Sequence, residues 1–222
     1  YPKIVTRLRV AAHNAHDQAN GVSRALDFCD LYLGNEAKSV QKPGWTMVRG
    51  GKGVVTAWRD DLWLSAPVTE WHQAHRGFGS IPTPARGSLV SDGVLHGGHK
   101  VRVINGHRIN GTDWPGNRRR NRWRKRRDLW RQHDSLDRKL MFAALNVGAH
   151  VILGADVNRT DMPKPHPTAV PLRNNGITQL WYIPAPGKTP WTSDNRGGIH
   201  PRTLGIDGTS HRLQWADLTL GD

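Results

Sequence analysis

The chain has 222 residues, with 32 Lys and Arg against 18 Asp and Glu, a formal net charge of +14 and a pI near 10.8. Hydrophobic residues are 36% of it, 10 residues are Trp, and mean hydropathy is −0.62, enough apolar surface for the core of one domain spanning residues 1–222. The single cysteine, Cys29, excludes an internal disulfide, and no stretch reads as a membrane span or secretory signal, so a cytoplasmic protein without membrane contact is expected.

In chain order, IVTRLRVAAHNAHD opens as an alternating apolar strand that ends near Asn14. GVSRALDFC reads as a short helix with Ser23 as its cap, and Cys29 as a core residue. DLYLGNEA is a second strand, closed by Glu36, and WTMVRGGKGVVTAWRDDLWLSA gives two or three antiparallel strands with Gly turns. Residues 67–100, rich in Gly, Pro and His, read as a long surface loop with room for a short helix. VRVINGH is a strand delivering His107, and a long helix is predicted over 117–147, with Leu129, Leu136, Leu140, Ala143 and Val147 on its apolar face. HVILGADVN, GITQLWYIP and HRLQWADLTL are further strands, so strands and helices mix in an α/β or α+β arrangement.

Each of several strands ends on a polar side chain: Asn14, Glu36, His107, Asp156 with Asn158, and His211. In a layered sheet protein strand ends can gather at one rim. Two carboxylates, amides and imidazoles gathered there suit phosphoester hydrolysis. Carboxylates hold a hard divalent ion, neutral donors offset charge growing on the phosphoryl oxygens, and a carboxylate or His deprotonates water. Asp156 and Asn158, two apart on a strand, are expected on one face.

In this order the segments resemble the endonuclease/exonuclease/phosphatase family, of the deoxyribonuclease-I-like fold. LRVAAHNAH resembles its opening strand with Asn, CDLYLGNEA the strand whose Glu binds metal, VRVINGHRI the Asn-x-His segment, VILGADVN the hallmark GDFN, and GTSHRLQWADLTL the closing SDHxPV strand. The resemblance implies a two-sheet (four-layer) α/β sandwich and a metal-dependent phosphodiesterase, foremost a nuclease acting on DNA, with RNA as a further substrate class. It implies Glu36 as a ligand of Mg²⁺ or Mn²⁺, Asn14 as support for metal or phosphate, and His107 as a donor to a phosphate oxygen. Asp156 would activate the water, Asn158 would hold the phosphoryl group, and His211 would contact the scissile phosphate or act in the acid/base step. Two positions depart from the pattern: Ser210 and Thr178 stand where the family carries Asp, which weakens metal binding or removes an orienting partner. Asp207, three residues before Ser210, is expected as the substitute metal ligand, with Asp194 in WTSDNRGG as another candidate.

RRRNRWRKRRDLWR, residues 118–131, is almost all one sign. Arg118, Arg119, Arg120, Arg122, Arg124, Lys125, Arg126 and Arg127 are the expected contacts to a nucleic-acid backbone, and Trp123 and Trp130 the anchors of the helix to the body. His72, His75, His96 and His99 are spaced for a structural Zn site, though without thiolates. Two alternatives stay open: a phosphatase of small phosphorylated molecules, and a nucleic-acid-binding protein that keeps the fold with weakened catalysis. The Arg-rich composition is compatible with a bacteriophage of a GC-rich host.

Overall fold

The computed structural model describes residues 6–77, 85–109, 120–158, 164–175, 177–206 and 211–221, with backbone alone at 120–123, 174 and 175. The described strands form two six-stranded sheets. The first runs β11 (Thr192–Ile199), β12 (Leu213–Thr219), β1 (Arg7–Asn14), β2 (Leu31–Asn35), β4 (Val55–Arg59), β3 (Trp45–Arg49). The second runs β5 (Val68–His75), β6 (Arg86–Val94), β7 (Lys100–His107), β8 (His150–Asp156), β10 (Thr178–Ile183), β9 (Val170–Asn175). Each sheet has one parallel pair at its centre, β1 with β2 and β7 with β8, and its other neighbours are antiparallel.

The sheets face each other across a core that includes Leu8, Val10, Leu33, Val103, Ile152 and Leu180. Helix α1 (Ala19–Leu26) packs on the outer face of the first sheet, and α2 (Arg120–Asn146) on that of the second. This is the four-layer sandwich. Burial on both sides explains why β2 and β8 read as continuous apolar runs rather than alternating ones. At Gly154 the sheets come so close that a Cβ would lie 2.7 Å from the Leu33 side chain, which would have to move to admit one.

The loop expected over 67–100 is corrected: β5 and β6 occupy much of it. β5 is an edge strand with little apolar burial, and β6 carries Gly87, whose missing Cβ leaves room for the His72 carbonyl, 2.1 Å from where that Cβ would stand. Close approach to a neighbouring backbone, rather than a turn, is what this glycine serves. β9 and β11 were also unforeseen; β11 is an edge strand of Ser, Asp, Asn, Arg and Gly whose burial pattern is mostly exposed. In α1, Ser23 lies mid-helix and Gln18 stands at the cap.

α2 is one helix as expected, but its buried stripe is corrected. Leu129, Trp130, His133, Asp137, Leu140, Met141 and Ala144 face the sheet, while Ala143 and Val147 are exposed. Trp130 anchors it, donating its indole N–H to the Val157 carbonyl at 2.9 Å. Two charged and polar residues in this stripe belong to a buried network. The Arg108 guanidinium, with no exposed surface, donates to Asp137 at 2.7 Å and Asp134 at 3.2 Å and stacks over Trp130 at 4.5 Å. The Ser88 hydroxyl donates to Asp137 at 2.5 Å and lies 2.8 Å from His133 Nε2.

His75 pairs with Arg86 at one end of β6, and His96 and His99 lie beyond its other end. The Zn expectation is therefore corrected, since the sheet holds the two His pairs apart. Among the described residues no three His, Cys, Asp or Glu side chains form a metal-holding group.

Candidate active site

The parallel registers align the strand ends. Asn14 pairs with Asn35, and His107 with Asp156, so β1, β2, β7 and β8 deliver their terminal residues to one rim. β12 runs antiparallel to β1, which brings His211, just before β12, to that rim too. Five of the six expected core-site residues, Asn14, Glu36, His107, Asp156 and His211, thus converge, and Asn158 sits at the edge.

Asp156 is the hub. Its carboxylate accepts from Asn14 Nδ2 at 2.7 Å and from the Asn158 backbone N–H at 3.2 Å, and lies 3.8 Å from His211 Nδ1 and 3.9 Å from His107 Nε2. Burial raises its pKa above the ordinary carboxylate value; the facing His211, the Asn14 amide and the Asn158 N–H oppose this. Glu36, about a third exposed, lies 3.7 Å from His107 Nε2 and 3.8 Å from His16 Nδ1. These separations exceed a hydrogen bond, so the groups face one another unpaired, and a water or phosphoryl oxygen that contacts two of them would lie to one side of the line joining them.

The local chain is held in an uncommon conformation. Glu36 (φ 45°), His16 (φ 47°), Asp17 (φ 59°) and Asn158 (φ 51°) are non-glycine residues in the left-handed region. Backbone bonds pin Glu36 there: Asp17 N–H donates to the Glu36 carbonyl at 2.5 Å, and Ala37 N–H to the Gly53 carbonyl at 2.8 Å.

The expectation of a shared strand face for Asp156 and Asn158 is corrected. β8 ends at Asp156, and Asn158 closes an Asx-type turn back onto it. Its side-chain amide donates to the Arg108 carbonyl at 2.9 Å. Asp207, Ser210, Arg118 and Arg119 lie outside the described residues. Thr178 pairs with Asp156 across β10 and β8, and its hydroxyl is 3.5 Å from His211 Nδ1, so a neutral hydroxyl stands beside the imidazole. Asp194 accepts from Thr219, at the opposite end of β12 from His211.

Sequence reasoning missed Arg86, Asn35 and Asn105. Arg86 Nη1 lies 3.0 Å from His107 Nδ1. A guanidinium only donates, so Nδ1 accepts and the ring proton sits on Nε2, facing the carboxylates. Burial, then Arg86, holds the His107 pKa well below 6.5, which keeps the ring a neutral Nε2–H donor. Asn35 Oδ1 accepts the Asp156 backbone N–H at 2.7 Å, and its amide donates to Asn105 Oδ1 at 2.9 Å. Asn105 in turn donates to the Val55 carbonyl at 2.7 Å, so an amide chain ties the two sheets beneath the site. A buried Asn closing the apolar run LYLGN was the one visible signal for Asn35; Arg86 had none, because its strand was not recognised.

The buried imidazoles make an acid prediction. Desolvation lowers the His13 pKa to about 3 and the His133 pKa to about 4. The unfolded chain protonates these rings near pH 6.5 while the folded one does not. Stability is therefore constant above that pH and falls as pH drops toward 4, by up to about 1.4 kcal/mol per pH unit for each ring. Urea midpoints measured at pH 7 and pH 5 should differ accordingly; equal midpoints would remove both rings from the account.

The donor set fits a magnesium-like ion. Such an ion keeps several waters and binds through one or two carboxylates plus substrate phosphate, and Glu36, about a third exposed, offers one. Of the basic helix, Arg124 and Lys125 are exposed, Arg126 and Arg127 are half-buried, and Arg120 and Arg122 lie on its backbone course. No described helix is long and apolar enough to cross a membrane.

No family model and no curated protein matches the sequence. Solved structures do match the backbone. An endonuclease/exonuclease/phosphatase family protein from Bacteroides thetaiotaomicron is 12% identical with a TM-score of 0.66, over 98% of this chain and 99% of that one. A D. rerio TDP2 complexed with single strand DNA product is 12% identical with a TM-score of 0.62, over 97% and 100%. A mannosyl-6-phosphatase from B. thetaiotaomicron is 12% identical with a TM-score of 0.63, over 96% and 100%.

Proposed function

We propose that this chain, which has the fold of the endonuclease/exonuclease/phosphatase proteins, is a divalent-metal-dependent phosphodiesterase acting on DNA. The observation that supports it is the convergence of Asn14, Glu36, His107, Asp156 and His211, from both sheets, around gaps of 3.7–3.9 Å. The reaction adds water across a P–O ester bond. Asp156, with its raised pKa, takes the proton of the attacking water, and Asn14 fixes the carboxylate that does so. His107 Nε2–H donates to a non-bridging oxygen as charge grows there. His211 faces the same phosphate from the β12 side. Glu36 would hold the ion, which when bound would supply a Lewis acid for the phosphoryl oxygens. Asn158 steadies the phosphoryl group through its remaining amide hydrogen.

Supercoiled plasmid incubated with Mg²⁺ should be nicked, with EDTA abolishing the reaction and Glu36→Gln lowering it at least about 100-fold. Nicking that persists in EDTA, or hydrolysis of a small phosphomonoester in strong preference to plasmid, would overturn the reading.

The substrate class rests on charge. A fold neighbour was solved with single-stranded DNA, and here the N-terminal half of α2 carries a dense run of cations. Each phosphate neutralised contributes about 0.9 to the slope of log affinity against log salt for duplex DNA. Arg124→Ala with Lys125→Ala should therefore flatten that slope by about 2, read by fluorescence anisotropy of a labelled duplex. An unchanged slope would move the DNA path off this helix.

A further inference from the structure

The ends of β7 and β8 away from the catalytic rim border a second cavity. It has a volume of about 320 Å³ and is lined by Gly97, Gly98, His99, Lys100, Val147, Gly148, His150, Lys188 and Thr189. Lys100 and His107 sit at opposite ends of β7, seven residues apart, so on the order of 23 Å separates this cavity from the proposed active site.

The geometry points to this cavity as a binding site for a phosphomonoester group, separate from the hydrolytic centre. No acidic side chain lines it, and among the described residues no carboxylate pairs with Lys100 or Lys188. The C-terminal end of α2, at the same wall, brings about half a negative charge, which two ammonium groups outweigh.

His150 supplies the built element. It is 3% exposed, and its ring stacks on Trp191 at 4.3 Å between centroids. The Trp191 backbone N–H donates to Tyr182 Oη at 3.0 Å, so the tyrosine's own proton goes to His150 Nδ1, 2.9 Å away. The Ala185 N–H also donates to Nδ1, at 3.2 Å. With two donors on Nδ1, the ring proton is on Nε2; among the described residues no hydrogen bond takes it up, and His150 lines the cavity. A fixed N–H donor at the wall and two mobile ammoniums at the rim suit a tetrahedral dianion. The volume exceeds one phosphate and accommodates a small group esterified to it.

The phosphate could come from a free small ester or from the end of a nucleic-acid strand. The test titrates dAMP and, separately, a 5′-phosphorylated single-stranded oligonucleotide into the protein in EDTA, by calorimetry and by NMR of the His150 ring. Wild type should bind dAMP, Lys100→Glu with Lys188→Glu should lose at least tenfold in affinity, and Asp156→Asn should bind as wild type does. The His150 pKa, which burial holds near 4 with help from His99 and Lys188, should rise by about one unit on binding. An oligonucleotide that displaces dAMP identifies strand ends as the source; one that leaves it bound identifies the free ester. No dAMP binding, binding indifferent to the two charge reversals, or binding lost in Asp156→Asn overturns the proposal. None of these bears on nicking, which is assayed with metal at the other pole.

Discussion

Replacing Asp156 by Asn is expected to lower plasmid nicking by about 10²–10⁴-fold while leaving the thermal midpoint in EDTA unchanged or higher. The amide keeps the shape of the carboxylate and removes both its charge and its ability to take a proton. The side chain is 1% exposed, and burial raises its pKa. A carboxyl whose folded pKa lies above the unfolded value contributes its full stability below the unfolded pKa and loses it as pH rises through the folded one. At neutral pH the ionised group therefore costs stability, and a neutral isostere relieves that cost, offset in part because one of the two oxygens that accept from Asn14 and the Asn158 N–H becomes a donor. The strained Glu36 and Asn158 backbones at the same rim are a second sign of stability given up for geometry. Nicking kinetics and a thermal melt on the same preparation check both halves. A variant with near wild-type nicking removes Asp156 from the reaction. A variant that loses stability along with activity shows a structural role instead.

The other large effect is expected at Arg108. Arg108→Met should destabilise the fold by about 3–5 kcal/mol, because it leaves Asp137, 3% exposed, without its cation. Adding Asp137→Leu should restore part of that loss, since an apolar pair of similar volume replaces a buried ion pair at little cost. Urea unfolding of the two single variants and the double gives the cycle; additive losses would mean that the pair does not act as a unit. The Arg108 carbonyl also holds the Asn158 amide, so the double variant, even if stable, should cleave more slowly than wild type.

How far the sequence foretold this molecule depends on how local the information was. β1, β2, β7 and β8 are buried runs ending in or followed by a polar residue, and that local pattern marked Asn14, Glu36, His107 and Asp156 as candidates; His211 precedes β12 and was marked by the resemblance of its segment. β5, β6, β9 and β11 were missed because much of what makes them strands is a partner elsewhere. Gly87 reads as a loop residue until the His72 carbonyl is seen against it, and β9 and β11 are edge strands. The same non-locality hid Arg86, which acts through a histidine 21 residues away. Helical periodicity found α2 but assigned Ala143 and Val147 to its buried side, because the true stripe includes His133 and Asp137, polar residues that a hydrophobic count passes over. The Asp156–Asn158 geometry failed for a smaller reason: the strand stops at Asp156, two residues before a shared face requires.

The first sheet has a consequence for synthesis. β12 is the last described strand, and it is inserted between β11 and β1, the earliest one. A ribosome-bound chain can pair β1 with β2 and complete the second sheet long before β12 emerges, but until then His211 is absent from the rim and β1 has an open edge. Closure across some 210 positions of sequence makes the last step slow by topology. On the proposed function, a nascent chain would spare any DNA near it until β12 has emerged and paired with β1.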